Sequence, residues 1–126
     1  MSEPGPPREA ILVVDDDEAL RSMIVEHLQE IGYTVREAGD PVAALEIAGN
    51  PAERVDLVVT DLVMPKMSGP LFVERLRELR PRLRILRVSG YPRQDHPRLS
   101  GDVPFLQKPF TLDALEQAVR SALDAG

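Results

Sequence analysis

The sequence predicts an α/β protein in which five β-strands alternate with helices, and two observations indicate this class. Short apolar runs, such as Ala10 to Val14, alternate with longer stretches whose apolar residues recur at helical spacing. Runs that are apolar at every position are typical of parallel strands buried on both faces. We therefore expect a (βα)5 chain that forms a three-layer sandwich, with helices on both faces of a parallel sheet.

Each expected strand is a short run that ends at polar residues or at a turn. The expected strands are Ala10–Val14, Thr34–Ala38, Leu57–Thr60, residues 85–88 and residues 103–106. The second is less apolar than the first, and Pro104 near the start of the fifth fits an edge strand.

Capping residues and helix-ending residues predict the helix boundaries. Gly32 closes the first helix, Asp40-Pro41 begins a second that runs to about Gly49, and Thr111 caps the last. Pro65 through Gly69 is expected to be a loop before the third helix, which Pro81 closes. The expected core positions of the first, third and last helices are Leu20, Met23, Ile24, Leu28 and Ile31; Leu71, Phe72, Leu76 and Leu79; and Leu112, Leu115, Val119, Ala122 and Leu123.

The segment between the fourth and fifth strands departs from the alternation. Pro92, Pro97 and Gly101 interrupt residues 90–102, so the fourth helix of the (βα)5 pattern is expected to be short or irregular. The Pro-rich residues 1–8 are expected to form a flexible leader, and residues 9–124 a single domain.

Composition narrows the function classes. The 126 residues carry a formal net charge of -6 and no cysteine. The net charge argues against binding of nucleic acid through a broad basic surface. The lack of cysteine excludes disulfides, thiolate catalysis and zinc–thiolate sites. No apolar run approaches the roughly 20 residues that a membrane helix needs. We expect a cytoplasmic protein that contacts neither nucleic acid nor membrane directly.

Polar residues follow four of the expected strands. Asp15 and Asp16 follow the first, Asp61 the third, Ser89 the fourth and Lys108 the fifth. In an open parallel sheet, sites form outside the carboxyl ends of the strands, and in a flavodoxin-like order 2-1-3-4-5 the site falls between strands 1 and 3. The five side chains are therefore expected to converge.

Three aspartates in one place repel each other and require a cation. Magnesium is the natural candidate, since it prefers a small octahedral shell of oxygen atoms that often includes carboxylates, waters and a phosphate. Lys108 adds a compact positive charge, and the hydroxyl of Ser89 can donate a hydrogen bond to a phosphoryl oxygen.

Taken singly, these residues also have structural interpretations. Acids after a strand are often helix caps, and Asp17 and Glu18 are expected to be either capping or solvated residues. Asp16 fits a structural or a functional role equally well. Asp61, Ser89 and Lys108 could each occupy a turn. Their joint placement at strand ends favours a site.

The two histidines are more typical of structural or exposed positions than of catalysis. We assign no function to His27 or His96.

Four motifs, in order along residues 9–124, resemble the response-regulator receiver family. They are Ile11-Leu12-Val13-Val14-Asp15-Asp16-Asp17, Asp61-Leu62-Val63-Met64-Pro65-Lys66-Met67-Ser68-Gly69, Val88-Ser89-Gly90-Tyr91 and Gln107-Lys108-Pro109-Phe110. Each is weak evidence alone, but together they are specific.

The resemblance implies a phosphoacceptor and a metal site. Asp61 corresponds to the phosphorylated aspartate, Asp16 to the direct metal ligand, Asp15 to a ligand acting mainly through water, and the carbonyl of Val63 to a further ligand.

It also implies a switch. Ser89 corresponds to the hydroxyl residue that contacts the phosphoryl group, Lys108 to the lysine that pairs with it, and Phe105 to the aromatic switch residue. The Lys108-Pro109 peptide bond is commonly cis in this family.

The implied function is a magnesium-dependent signalling domain, not an enzyme. It would accept a phosphoryl group from a histidine kinase or a histidine phosphotransfer protein and alter its contacts with an unknown downstream protein. The last two motifs are similar to receivers of hybrid histidine kinases, so the chain is either a stand-alone regulator or part of such a kinase. Residues 90–102 depart from the family, which normally has a regular fourth helix there.

Two alternatives remain open. A haloacid dehalogenase-like phosphohydrolase would use Asp15 and Asp17 at its characteristic spacing, although Glu18-Ala19 follows where that family usually has Gly-Thr. A receiver-like module that binds partners without taking up phosphate is the other.

Overall fold

A computed structural model describes residues 9–61, 66–89 and 104–124, with Ser89 described by its backbone alone. The expected leader and the segment 90–102 lie outside the described residues. The elements are β1 Ala10–Val14, α1 Glu18–Ile31, β2 Thr34–Ala38, α2 Pro41–Ala48, β3 Leu57–Thr60, α3 Gly69–Leu79, β4 Arg84–Ser89, β5 Phe105–Gln107 and α4 Leu112–Asp124.

The five strands form one parallel sheet in the order β2-β1-β3-β4-β5, which confirms the predicted flavodoxin-like order. In the β1–β3 ladder Val14 pairs with Thr60. The next residues along these strands, Asp15 and Asp61, therefore emerge side by side at the carboxyl edge of the sheet.

Alternate residues of the central strands point into two separate apolar layers, as the predicted sandwich requires. Ile11 and Val13 pack in the layer that holds α1 and α4, whereas Leu12 and Val14 pack in the layer that holds α2 and α3. These β1 residues are at most 1% exposed, so burial on both faces explains why this strand is apolar at every position.

The described helices begin at capping residues. The expected caps are confirmed, because Asp17 accepts a hydrogen bond from the amide of Leu20 and Asp40 one from that of Ala43. The hydroxyl oxygen of Thr111 likewise accepts from the amide of Ala114 at 3.0 Å. Gly32 ends α1 with φ 121°, a conformation that favours glycine.

Several expected boundaries were wrong by one or two residues. Helix α3 already begins at Gly69, because the Ser68 side chain caps it and Pro70 fits its first turn. Strand β4 extends one residue further at each end than expected. Strand β5 begins at Phe105, and Pro104 precedes it, accepting a hydrogen bond from the amide of Arg87 at 2.9 Å.

Four apolar residues expected in the core are exposed instead. They are Met23, Leu71, Leu79 and Leu112, each at least 37% exposed. The buried faces of α1 and α3 are rotated toward Val25 and Val73, which are 7% exposed. Across the described ranges, the structure contains no helix with the length and apolar character to cross a membrane.

Candidate functional site

The carboxyl edge of the sheet brings Asp15, Asp61 and Lys108 together. The Lys108 ammonium nitrogen lies 2.9 Å from Oδ2 of Asp61 and 3.4 Å from Oδ2 of Asp15. Lys108 is 47 positions from Asp61 and 93 from Asp15 along the chain, so the sheet topology alone makes them neighbours. Of the five side chains expected to converge, these three are in contact.

Asp15 is the most buried member of this group, at 2% exposed. Its Oδ1 accepts a hydrogen bond from the amide of Asp17 at 2.9 Å. Burial raises the pKa of the Asp15 carboxyl, and the nearby charge of Asp61 raises it further. The hydrogen bond from the Asp17 amide and the charge of Lys108 lower the pKa of Asp15, but they do not cancel the effect of burial. A second positive charge at this site would therefore be favourable.

Lys108 remains a cation. Burial alone would lower its pKa, but the hydrogen bond to Asp61 and the attraction of both carboxylates outweigh burial and raise the pKa above 10.5. The structure thus places a positively charged ammonium group directly against the carboxylate of Asp61.

The backbone around the site is fixed by hydrogen bonds within the sheet. The amide of Asp61 donates to the carbonyl of Val14 at 3.2 Å, and that of Asp15 donates to the carbonyl of Ala38 at 3.2 Å. Arg21 adds a bond of 2.7 Å to the carbonyl of Asp15 and forms an ion pair with Glu37. Sequence reasoning missed this role, since Arg21 lies on the polar side of an ordinary amphipathic helix.

Asp16 differs from its neighbour. It is exposed, and it makes no hydrogen bond or ion pair to any residue that the structure describes. Val63 and the side chain of Ser89 fall outside the described residues, so their expected roles are untested. The backbone of Ser89 pairs with Gln107 in the β4–β5 ladder, next to Lys108.

The described residues contain no group of three or more Asp, Glu, His or Cys arranged to hold a metal ion. The donors that are present nevertheless suit magnesium. Asp15 and Asp61 direct carboxylate oxygens at one shared cation, the ammonium of Lys108, and carboxylate oxygens are the ligands that magnesium prefers.

Asp17 is a cap and not a site residue, as predicted. Its side chain is engaged with the first turn of α1 at 3.1 Å. This arrangement does not support the phosphohydrolase alternative, which needs the second aspartate of the Asp15/Asp17 pair at the reacting group.

The two histidines and the Lys108-Pro109 bond were also singled out from the sequence. His27 lies 3.4 Å from Glu116, away from the site, in agreement with a structural role. His96 lies outside the described residues. The Lys108-Pro109 peptide bond is cis, as the resemblance implied.

A groove of about 270 Å³ opens beside Lys108, lined by Asp17, Leu20, Met23, Lys108, Pro109 and Phe110. It is predominantly apolar. A larger groove of about 460 Å³ lies at the opposite edge of the sheet, near Val55 and Arg82. The larger groove is far from Asp61, whereas the smaller one adjoins Lys108 and is a candidate approach to the site.

An aspartate at the end of the buried strand β3, in contact with a lysine that follows the edge strand β5 of a 2-1-3-4-5 sheet, fits the class of phosphoryl-accepting α/β domains. The comparisons agree: the model of the response regulator receiver domain matches residues 11–120. The chain belongs to the response-regulator receiver family, the phosphoacceptor domains of two-component signalling.

Individual relatives support the assignment. The sensor kinase CckA of Brucella abortus is 42% identical over 117 residues, which cover 90% of this chain and 12% of the kinase. The response regulator receiver protein CpdR of the same species is 33% identical over 121 residues, covering 91% of this chain and 97% of CpdR. A solved receiver domain of the hybrid histidine kinase CckA has 33% identity and a TM-score of 0.79, covering 91% of this chain and 99% of that domain.

The lengths of the relatives differ greatly. The chain spans 12% of the CckA sensor kinase but nearly all of CpdR. The family is therefore compatible with both a domain of a large kinase and a small separate regulator.

Proposed function

We propose that Asp61 accepts a phosphoryl group from a phosphohistidine, and that Lys108 and a magnesium ion assist the transfer. The observation that carries this proposal is the 2.9 Å contact between the Lys108 ammonium and the Asp61 carboxylate, beside the buried carboxylate of Asp15. Phosphoryl transfer to Asp61 requires that its carboxylate be ionised and accessible to a donor. The side chain of Asp61 is 13% exposed, so it is partly accessible from solvent.

In the transfer, an Asp61 oxygen attacks phosphorus in line with the bond to the histidine nitrogen. A P–O bond forms and the P–N bond breaks, its electron pair remaining on the imidazole. Lys108, which lies 2.9 Å from the Asp61 carboxylate, would bind a phosphoryl oxygen and balance its charge. Magnesium, held by Asp15, Asp16, Asp61 and the Val63 carbonyl, would neutralise the phosphoryl oxygens.

The protein is then its own substrate. Since the phosphoryl group stays on Asp61 until water removes it, we propose that the domain is a signalling phosphoacceptor and not an enzyme. Ser89 would contact the bound phosphoryl group, and Phe105 would respond to it. Residues 9–124 would form the functional unit.

The phosphoryl donor would be a histidine kinase or a histidine phosphotransfer protein. The groove beside Lys108 supports this, because Met23, which lines it and is 40% exposed, provides apolar surface next to Lys108. A donor helix carrying its phosphohistidine could bury this surface. Such donors draw on ATP, so we place the domain in the cytoplasm. The charge of -6 argues against direct action on nucleic acid.

Phosphotransfer from acetyl phosphate or from a phosphorylated histidine kinase tests the proposal. Intact mass should show one added phosphoryl group in the wild type and none in Asp61→Asn. Asp113→Asn, which alters an exposed aspartate in the first turn of α4, is the matched control and should be phosphorylated normally. Equal labelling of Asp61→Asn would refute Asp61 as the acceptor.

A further inference from the structure

Arg87 is an arginine in the interior of the protein. It lies in β4 between Leu86 and Val88, and like them it is 1% exposed. A guanidinium stays protonated under all ordinary conditions. Since a buried charge is costly without compensation, its surroundings must supply favourable contacts.

One such contact is with Phe105. The Cζ atom of Arg87 lies 4.9 Å from the centroid of the Phe105 ring, in a cation–π arrangement. Arg87 and Phe105 are also direct partners in the β4–β5 ladder. Because directly paired residues of parallel strands point to the same side of the sheet, both side chains lie on one face.

The pair joins the two strands that lead to the site. Ser89 lies two residues after Arg87, and Lys108 lies three residues after Phe105. In the conformation described, Lys108 contacts Oδ2 of Asp61 directly at 2.9 Å. A phosphoryl group on Asp61 would rearrange this contact, and the Arg87–Phe105 pair lies on the two strands that would adjust to it.

We propose that Arg87 is a positioning residue that holds the Phe105 ring in this orientation and thereby opposes the conformational change that a phosphoryl group on Asp61 produces. This inference rests on the proposed function. If the ring moves away, the guanidinium loses its aromatic contact in a place where little water can replace it. Arg87 thus sets how strongly the unphosphorylated domain is held in its resting conformation.

Fluorine NMR of the full chain labelled with 4-fluorophenylalanine tests this directly. The sequence has three phenylalanines, and Phe105→Leu identifies the resonance of Phe105. Spectra are recorded for the wild type, Arg87→Met and Arg87→Lys, each titrated with beryllofluoride as a phosphoryl mimic in the presence of magnesium. Methionine keeps much of the length of arginine without its charge, and lysine keeps the charge without the planar group.

In the wild type, beryllofluoride should displace the Phe105 resonance. In Arg87→Met, the resonance of the free protein should already be displaced toward the beryllofluoride-bound position. Affinity for beryllofluoride should rise on the order of tenfold, between the effects expected for an exposed and for a fully desolvated cation–π contact, because Phe105 is half-buried. For Arg87→Lys, both the Phe105 resonance of the free protein and the affinity for beryllofluoride should lie between those of the wild type and those of Arg87→Met.

An unmoved Phe105 resonance in free Arg87→Met, with unchanged beryllofluoride affinity and only a lower melting temperature, would overturn the proposal and leave Arg87 a packing residue. Failure of the wild type to bind beryllofluoride would instead contradict the proposed phosphoacceptor function. The displacement in the free Arg87→Met protein would then still decide whether Arg87 positions Phe105.

Discussion

Replacing the buried Asp15 by asparagine should make the protein more stable while impairing its function. Asp15 is 2% exposed, and burial, followed by repulsion from Asp61, raises the pKa of its carboxyl. Its ionised form is thus disfavoured in the folded protein relative to the unfolded chain. The asparagine side chain has nearly the same shape, and its carbonyl oxygen can still accept the hydrogen bond that the Asp17 amide donates at 2.9 Å.

The expected gain is modest because the change also removes attraction. The Asp15 carboxylate lies 3.4 Å from the Lys108 ammonium, and this favourable interaction offsets part of the burial cost. We expect a net stabilisation of about 1 kcal/mol at pH 7. For a domain of this size, that corresponds to a rise in melting temperature of roughly 3–5 °C.

The sign of the pH dependence follows from proton linkage. Between the ordinary value of 3.8 and the raised folded value of the Asp15 pKa, the native state binds more protons than the unfolded state, so its stability falls as the pH rises. At a pH above the raised folded pKa of Asp15, the wild type is therefore less stable than it would be without this buried charge. The advantage of Asp15→Asn should be largest near neutral pH and should shrink as the pH falls toward 4.

Urea unfolding at pH 4 and pH 7 measures this difference, with Asp113→Asn as a control that removes an exposed carboxylate. The control should change the free energy of unfolding by no more than about 0.5 kcal/mol. If Asp15→Asn is less stable than the wild type at pH 7, the reasoning from burial is wrong.

Three further predictions concern the metal, the lysine and a cap. Magnesium at ten times its dissociation constant should raise the free energy of unfolding of the wild type by about 1.4 kcal/mol in the same urea assay and leave that of Asp15→Asn nearly unchanged. Equal stabilisation of both proteins would show that Asp15 does not contribute to magnesium binding. Lys108→Met should slow phosphotransfer to Asp61 by roughly 10² to 10³, measured by rapid quench, and an unchanged rate would remove Lys108 from the mechanism. Asp17→Ala should cost about 1 kcal/mol of stability through loss of the α1 cap, while phosphorylation by acetyl phosphate, which needs no protein groove, is preserved. Loss of phosphorylation by acetyl phosphate would give Asp17 a role in the chemistry.

The central strands and the helix starts could be predicted from the sequence because local signals determine them. A strand such as β1, buried on both faces, must be apolar at every position. Caps such as Asp17, Asp40 and Thr111 are equally local, since each binds an amide three residues along the chain. The site followed from the sheet order, which places the carboxyl ends of β1 and β3 together.

What the sequence could not provide depends on contacts between distant segments. The exposure of Met23 and Leu112 is set by how each helix is rotated on the sheet, and periodicity alone does not determine that angle. Nor could the sequence show that Asp15 is buried while its neighbour Asp16 is exposed, because both follow the same strand.

The burial of Arg87 was missed for a similar reason, since it depends on Phe105, which another strand supplies. A charged residue within an apolar run, two residues before Ser89, was the available signal.

The most direct test of the central claim is to locate the phosphoryl group. The domain is phosphorylated by a histidine kinase and treated with borohydride, which reduces an aspartyl phosphate to homoserine, and its peptides are then sequenced by mass spectrometry. We expect homoserine at position 61, dependent on magnesium and absent without the phosphoryl donor. Homoserine in place of Asp15, Asp16 or any other aspartate, with residue 61 unmodified, would contradict the claim.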